Sequence, residues 1–278
     1  MFQIPENSTL DRLRFALTRA YSEVRALFFG RYTQLIVCGY PRSGTSLLYN
    51  MLSSTVAGSM KFTSFENYFI HSLHKLGDIA TKAPLDVLHV GHLDKLNIHN
   101  KKIVLLVVIR DIREIITSRH PIYPDEYFIG YDHSYWPQNK DFTEWSYDAP
   151  GVIEIASHIR KSLNRPDAFL VRYEDLVDSP DDLQKSIQQK FDIHFNRKFS
   201  DYHLTQEKHA YKYEGRYKPK DESLVMEGSR VKNKGTRWNK SEHKDRIKNQ
   251  FERCPELFDL LIEYGYEKDS SRIDAIGK

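Results

Sequence analysis

The chain has 278 residues, of which 41 are Lys or Arg, 38 are Asp or Glu and 2 are Cys. This length suffices for one large domain, while a net charge of +3 is too balanced to indicate a nucleic-acid-binding protein. Two distant cysteines provide neither a disulfide framework nor a metal-ligand cluster. We predict a single domain over 1–278. We also predict a cytoplasmic protein, because no segment reaches the roughly 18 apolar residues of a membrane span and the N-terminus is not a secretory signal. The alternative is a protein whose membrane anchor has been removed.

Residues 8–29 place apolar side chains at helical spacing, namely Leu10, Leu13, Leu17, Ala20, Tyr21, Val24, Leu27 and Phe28. This pattern predicts an amphipathic helix whose apolar face packs on the domain. The alternative is a helix that lies on a membrane surface, but such helices carry a basic polar face. Here the polar face mixes acids with arginines, which favours the packed helix.

The stretch 35–52, LIVCGYPRSGTSLLYNML, organises the rest of the chain. A β-branched, apolar run predicts a buried parallel strand, and a glycine-containing loop then leads into a helix. Gly39 and Gly44 have the glycine spacing of a Walker loop, but Thr45 replaces the lysine, which argues against an ATPase or kinase. The N–H groups at the helix start would bind an anion. The loop also supplies three hydroxyls, those of Ser43, Thr45 and Ser46. An ordinary tight turn is the structural alternative.

The run PRSGTSLL, from Pro41 to Leu48, resembles the 5′-phosphosulfate loop, P-[K/R]-S-G-T-[S/T], of sulfotransferases that use 3′-phosphoadenosine 5′-phosphosulfate (PAPS). Arg42 at the basic position resembles the protein-tyrosine and bacterial enzymes more than the small-molecule cytosolic ones. The resemblance implies an α/β, P-loop-like three-layer fold with a central, mainly parallel sheet flanked by helices. It also implies PAPS as co-substrate, 3′-phosphoadenosine 5′-phosphate (PAP) as product and no metal. The implied donor-binding residues of the loop are Arg42, Ser43, Gly44, Thr45 and Ser46.

The resemblance also implies two candidate catalytic residues, which lie further along the chain than the loop. Glu66 lies close to where the protein-tyrosine and heparan-type enzymes have their catalytic glutamate, and a carboxylate can take the acceptor proton. Lys82 with Pro84 resembles the family's K-x-P element, and Lys82, like Arg42, would stabilise charge on the bridging oxygen. Pro84 stands where small-molecule enzymes have a histidine base, which favours Glu66; His89 and His92 remain in reserve. A helix-capping acid and a solvated lysine are the structural alternatives.

The most apolar run, Lys102–Ile109, predicts a buried parallel strand. Arg110 follows it at the edge of the sheet where ligands of open α/β folds bind. Arg110 and Ser118, eight residues apart, resemble the family's 3′-phosphate element R-D-P-R-x-x-x-x-S, with Ile112 in place of proline. The resemblance implies that both bind the 3′-phosphate; a sheet-edge salt bridge of Arg110 is the structural alternative.

A third element follows the predicted strand 168–172. The run YEDL from Tyr173 resembles the family's V-x-Y-E-D-L-x-x-x-P segment, which implies that Tyr173 contacts the adenine. A core tyrosine at a strand end is the alternative, because a buried tyrosine commonly needs one hydrogen bond.

Two segments are predicted to leave the main sheet. Residues 121–150 are rich in aromatic side chains, and a long aromatic loop in a compact domain is usually functional; we interpret it as an acceptor lid, or else as a loop tacked onto the core. Residues 205–240 are basic and contain an element similar to the family's nucleotide-closing motif. Arg230, Lys234 and Gly235 are its candidates for the 3′-phosphate.

Together these elements predict a sulfotransferase that moves the sulfuryl group from PAPS to an acceptor hydroxyl of a carbohydrate or other small molecule. One alternative is a P-loop nucleotide kinase or phosphotransferase, which Thr45 disfavours. The other is a non-catalytic nucleotide- or glycan-binding protein, which would keep the phosphate contacts and lack a working base.

Overall fold

Five parallel strands form the central sheet of the computed structural model, which describes residues 9–64, 66–118, 129–137, 145–205 and 237–269. In chain order they are β1 (Thr33–Gly39), β2 (Lys61–Phe62), β3 (Ile79–Lys82), β4 (Lys102–Ile109) and β7 (Ala168–Arg172). Their spatial order is β2-β3-β1-β4-β7. Strands β5 (His133–Pro137) and β6 (Trp145–Pro150) form a separate antiparallel pair.

The described residues also form ten α-helices. They are α1 (Thr9–Phe29), α2 (Thr45–Thr55), α3 (Leu93–Leu96), α4 (Ile112–Ile116), α5 (Val152–Leu163), α6 (Tyr173–Asp178), α7 (Pro180–Phe191), α8 (Tyr202–Thr205), α9 (Lys244–Arg253) and α10 (Glu256–Glu263). Short 3-10 helices cover Phe69–His71, Pro84–His92, Phe199–Asp201, Arg237–Asn239 and Ser241–His243.

Alternate residues of the central strands enter two separate hydrophobic clusters. Leu35 and Val37 of β1 pack with α2, α6 and α7, whereas Ile36 and Cys38 pack with α4, α5, α9 and α10. Both faces of the sheet are therefore covered by helices, as the long apolar runs of β1 and β4 require. The predicted three-layer α/β fold with a parallel central sheet is confirmed.

The strand register brings three carboxyl ends to one edge of the sheet. Along β1, Val37 is opposite Lys82 of β3, and Gly39 is opposite Val108 of β4. The segments that follow β1, β3 and β4 consequently start side by side. Ligands of open parallel sheets bind at this edge.

The aromatic segment 121–150 is not a simple loop. Its described part contains the antiparallel pair β5 and β6, with His133 opposite Pro150 and a register shift between Ser134 and Trp136. Aromatic residues favour strands, so the composition that suggested a lid also suits a hairpin. Residues 121–128 and 138–144 lie outside the described residues.

Helix α1 forms as predicted, but its predicted packing is wrong. Its apolar side chains are exposed, from 56% at Val24 to 82% at Leu27. Ser22, on another side of the helix, is buried and contacts the Nδ1 atom of His99 at 3.2 Å. The helix lies on the domain through polar contacts, because the residues that meet it at positions 99 and 100 are hydrogen-bonding groups.

Candidate active site

The loop between β1 and α2 depends on two glycines. Gly39 has φ 135°, and a Cβ there would lie 2.1 Å from the Val108 carbonyl oxygen. Gly44 has φ 101°, and its Cβ would lie 2.5 Å from the Tyr173 ring. Both positions need glycine for conformation and for space. The loop is therefore held against β4 on one side and against Tyr173 on the other.

Helix α2 begins at Thr45, directly after this loop. The N–H groups of a first helical turn have no carbonyl partner within the helix, and the helix dipole adds positive potential there. Thr45 is buried, and Ser46 is half-buried. This turn has the features of a phosphate-binding helix start.

Ser43 shapes the loop in this conformation. Its N–H lies 3.3 Å and its hydroxyl 2.7 Å from the Tyr40 carbonyl oxygen, to which both donate. The hydroxyl proton is thereby engaged within the turn. The predicted contact of Ser43 with a phosphosulfate stays a prediction, and its observed role is to close the turn.

Arg42 joins the loop to the segment after β4. Its backbone is left-handed, with φ 67°, which is uncommon for a non-glycine residue and found often at functional sites. Its Nε donates to the Ser118 hydroxyl at 3.0 Å. The Arg42 carbonyl oxygen accepts a 3.5 Å contact from Arg110. Two motifs separated by 68 residues of sequence thus meet at one place.

Arg110 is sandwiched between an anion and an aromatic ring. Its Nη2 donates to Glu114 at 3.0 Å, and its guanidinium carbon lies 3.9 Å from the centre of the Tyr173 ring. Only 11% of the Arg110 side chain and 8% of that of Glu114 are exposed. These contacts fix the orientation of the guanidinium beside the loop. A planar guanidinium can donate two parallel hydrogen bonds to a phosphate group.

Glu114 is a residue of this site that the sequence interpretation missed. Besides pairing with Arg110, it accepts the backbone N–H of Trp238 at 3.2 Å. Trp238 in turn lies under Arg113, 4.1 Å from the guanidinium carbon to the ring centre. The end of the basic segment is thus tied to α4. The available signal was the spacing of four residues between Arg110 and Glu114, which is typical of ion pairs on a helix, although Arg110 lies just before α4.

Lys82 and Glu66 form an ion pair beside the loop. Lys82 ends β3 with only 4% of its side chain exposed, whereas 61% of the Glu66 side chain is exposed. Glu66 has φ 57°, and the next residue, Asn67, donates its N–H to the Lys82 carbonyl at 3.1 Å. The two residues predicted to act in catalysis therefore lie together, with a buried ammonium and an accessible carboxylate.

A cavity of about 290 Å³ begins at Tyr68, two residues after Glu66. It is lined by residues of the 66–89 region and of β6, among them Tyr68, Leu85, Leu88, His89, Ser146 and Asp148. Burial raises the pKa of Tyr68, with further contributions from the charges of Asp86 and Glu66. Burial also lowers the pKa of His89, as do the neighbouring His92 and His158. At neutral pH the cavity is thus lined by a protonated phenol and an uncharged imidazole.

The predicted site residues divide into three groups. The first group meets at the loop through contacts between its members and contains Arg42, Arg110, Ser118 and Tyr173. The second group is the ion pair of Glu66 and Lys82. Arg230, Lys234 and Gly235 lie outside the described residues. Among the described residues, no group of three His, Cys, Asp or Glu side chains is placed to hold a metal ion.

Comparison with known proteins gives one family. A family model described as "Sulfotransferase domain" matches residues 32–263, a range that contains every motif of the site. No curated protein gives a significant match to this chain. Within the described ranges no helix combines the length and the apolar content that crossing a bilayer requires. The match covers most of the chain and agrees with the parallel α/β sheet, and so the chain belongs to the sulfotransferase domain family.

Proposed function

We propose that this enzyme transfers the sulfuryl group of PAPS to a hydroxyl group of a small acceptor. The observation that carries the proposal is the meeting of Arg42, Ser118, Arg110 and Tyr173 beside the start of α2. A helix start, two guanidinium groups and an aromatic ring suit a nucleotide with phosphate groups at two positions. The ordinary P-loop lysine is not needed for that ligand.

The donor would lie across the carboxyl edge of the sheet. In this proposal the 5′-phosphosulfate binds the first turn of α2, where Gly44, Thr45 and Ser46 supply N–H groups. The 3′-phosphate binds Arg110 and Ser118, with Arg230, Lys234 and Gly235 as further candidates from the basic segment. Tyr173 contacts the adenine. The support for this division is that Arg42 bridges the two phosphate regions through its 3.0 Å contact with Ser118.

The chemical step forms a bond from the acceptor oxygen to sulfur and breaks the bond from sulfur to the bridging oxygen of PAPS. The acceptor proton passes to the Glu66 carboxylate, and negative charge develops on the leaving phosphate of PAP. Lys82 and Arg42 stabilise that charge, which is how cationic groups lower such barriers. The exposure of Glu66 and the burial of Lys82 support their assignment to acceptor and donor, respectively.

The acceptor would enter the cavity of about 290 Å³ beside Tyr68. This volume is at the lower end of the range for small-molecule pockets. Leu85 and Leu88 give it an apolar wall, whereas His89 and Asp148 give it polar groups. Such a lining suits one ring that bears hydroxyl groups, such as a monosaccharide unit or a phenol.

The test begins with binding and ends with transfer. Calorimetric titration with PAP in the presence of EDTA is expected to show saturable binding, and ATP with magnesium is expected to bind more weakly. Transfer of labelled sulfur from PAPS is then measured over a panel of monosaccharides, oligosaccharides and phenols. Preference for ATP would favour a phosphotransferase and overturn the proposal. PAP binding without transfer to any of these acceptors would instead support a non-catalytic binding protein.

A further inference from the structure

Helix α1 rests on the domain through its polar side. Ser22 is 9% exposed and contacts His99, and Asn100 donates to the Glu23 carboxylate. Glu23 also pairs with Arg31 at 3.4 Å. The helix is thus attached to the 99–100 turn by hydrogen bonds, and its orientation is set by those contacts.

The opposite side of α1 is apolar and uncovered by any part of the chain that the structure describes. Its large apolar side chains are each more than half exposed: Leu13, Leu17, Tyr21, Val24, Leu27 and Phe28. Monomeric soluble proteins rarely expose apolar patches larger than a few hundred Å². A face of this kind indicates an interaction surface, which we call the α1 face.

The spacing along the α1 face alternates between three and four residues, through Leu10, Leu13, Leu17, Ala20, Val24 and Leu27. This is the a/d pattern by which one helix packs against another like it. In that register Ser22 occupies position f, which lies on the side of the helix opposite the line of a and d positions, the seam. The residue that contacts the domain and the residues left exposed are therefore on opposite sides of one heptad pattern.

We propose that the α1 face binds the α1 face of a second copy of this chain and makes the enzyme a homodimer. A 21-residue helix extends about 31 Å, and a standard interface buries roughly 800 Å² on each partner. Six large, mostly exposed side chains supply an area of this order, since each buried aromatic alone contributes about 150–250 Å². The same patch on both copies is the self-complementary surface that a two-fold dimer requires.

The arginines beside the α1 face favour a protein partner over an anionic membrane. Arg25 donates to the Gly30 carbonyl oxygen at 2.7 Å and stacks 3.5 Å from the centre of the Tyr32 ring. Arg31 is paired with Glu23. A membrane-surface helix holds its cations ready for lipid headgroups. Of the three arginines whose side chains are described here, Arg25 and Arg31 are engaged within their own chain and Arg19 is exposed.

The mass of the full-length protein in solution tests the proposal. Analytical ultracentrifugation of the wild type over a dilution series is expected to give twice the chain mass. The double variant Leu17→Gln, Val24→Gln is expected to give the mass of one chain, and Leu27→Gln alone is expected to shift dissociation to higher protein concentration. Because these side chains are exposed, far-UV circular dichroism is expected to be unchanged. Arg19→Gln, an exposed residue of α1 off the seam, is the matched control and should stay dimeric.

Three results would overturn the proposal. The first is a wild type with the mass of one chain throughout the series. The second is a dimer that survives the double variant, which would put the interface elsewhere. The third is a monomer that sediments with vesicles of phosphatidylcholine and phosphatidylglycerol and loses this binding in the double variant, which would assign the α1 face to a membrane. PAP binding is independent of all three, so failure here is separable from failure of the proposed function.

Discussion

The two ends of the candidate site are built differently. At the loop end, Arg110 and Glu114 are nearly buried and paired, and Arg110 contacts Arg42 and Tyr173 at 3.5 and 3.9 Å. At the other end, 61% of the Glu66 side chain is exposed, and the cavity that begins at Tyr68 is bounded on one side by β6 of the separate strand pair. Fixed geometry suits a donor that never changes, whereas an accessible carboxylate beside a cavity suits entry and exit of an acceptor.

This difference predicts that the donor end and the acceptor end can be damaged separately. Substitutions around Arg110 should change PAP affinity, and substitutions around the cavity should change acceptor use alone. A variant that alters both equally would indicate a single coupled site.

The largest effect is expected from Glu66→Gln. General-base catalysis contributes about 10²–10⁴-fold, so single-turnover transfer from labelled PAPS should slow by that factor. PAP affinity measured by calorimetry should be unchanged, because Glu66 is assigned to the acceptor. Glu252→Gln, an exposed glutamate of α9, is the matched control. Full activity in Glu66→Gln would remove Glu66 as the base.

The next effect concerns the 3′-phosphate. Arg110→Lys keeps the charge but loses the planar fork and the stacking on Tyr173. A charge-assisted hydrogen bond contributes about 1.5–3 kcal/mol, so PAP affinity should fall about 10- to 100-fold. Adenosine 5′-monophosphate, which lacks the 3′-phosphate, should bind wild type and variant alike.

The control for Arg110→Lys is Arg160→Lys, an arginine whose ion pair with Glu263 is exposed. Exposed pairs contribute little, and PAP affinity should not change there. Equal losses for PAP and adenosine 5′-monophosphate in Arg110→Lys would mean that Arg110 acts on the loop and not on the 3′-phosphate.

A smaller effect is expected when the cavity is filled. Leu88→Trp places a larger side chain in the cavity, and misfit of this kind costs about tenfold or more in kcat/KM. The acceptor identified by the transfer panel should show this loss, with PAP affinity intact. Leu76→Trp, at an exposed leucine before β3, is the control. Unchanged kinetics in Leu88→Trp would place the acceptor outside this cavity.

The sequence predicted the donor end better than the acceptor end for a physical reason. The loop, Arg110 and Tyr173 each follow a buried strand, so the strand pattern alone brings them to one edge. Glu114 was missed because its ion pair depends on the direction of the Arg110 side chain, which the sequence does not show. Several other pairs in the sequence have the same spacing. The contacts of Ser43 with Tyr40 were also missed, because a hydroxyl in a loop can bond to ligand or backbone.

The acceptor cavity and the α1 face were beyond the sequence. The cavity forms between Tyr68, the 84–92 helix and β6, and no local pattern sets that arrangement. For α1, the apolar periodicity correctly predicted a helix. Periodicity does not show whether the apolar side packs against the same domain or against another molecule. The polar contacts of Ser22 and Glu23 decided the orientation instead.

The smallest effect is expected from His89→Asn, a variant that tests whether Glu66 or His89 is the base. Burial holds the pKa of His89 below its ordinary value of 6.5, with His92 and His158 acting in the same direction. The unfolded chain therefore binds the proton more readily than the folded protein, and stability falls as the pH drops below 6.5. In His89→Asn this part of the fall should disappear, as measured by urea unfolding across that pH range.

Transfer activity is expected to survive His89→Asn with only a modest rise in the KM of the acceptor, because the imidazole lines the cavity and Glu66 takes the proton. His92→Asn, an exposed histidine of the same 3-10 helix, should retain the acceptor KM. It should lose only the part of the pH dependence of stability that comes from the effect of His92 on His89. A loss of kcat by orders of magnitude in His89→Asn, with an undiminished rate in Glu66→Gln, would move the base to the histidine. The acceptor would then be deprotonated from the cavity wall, and the pair of Glu66 with Lys82 would serve to orient the lysine toward the donor.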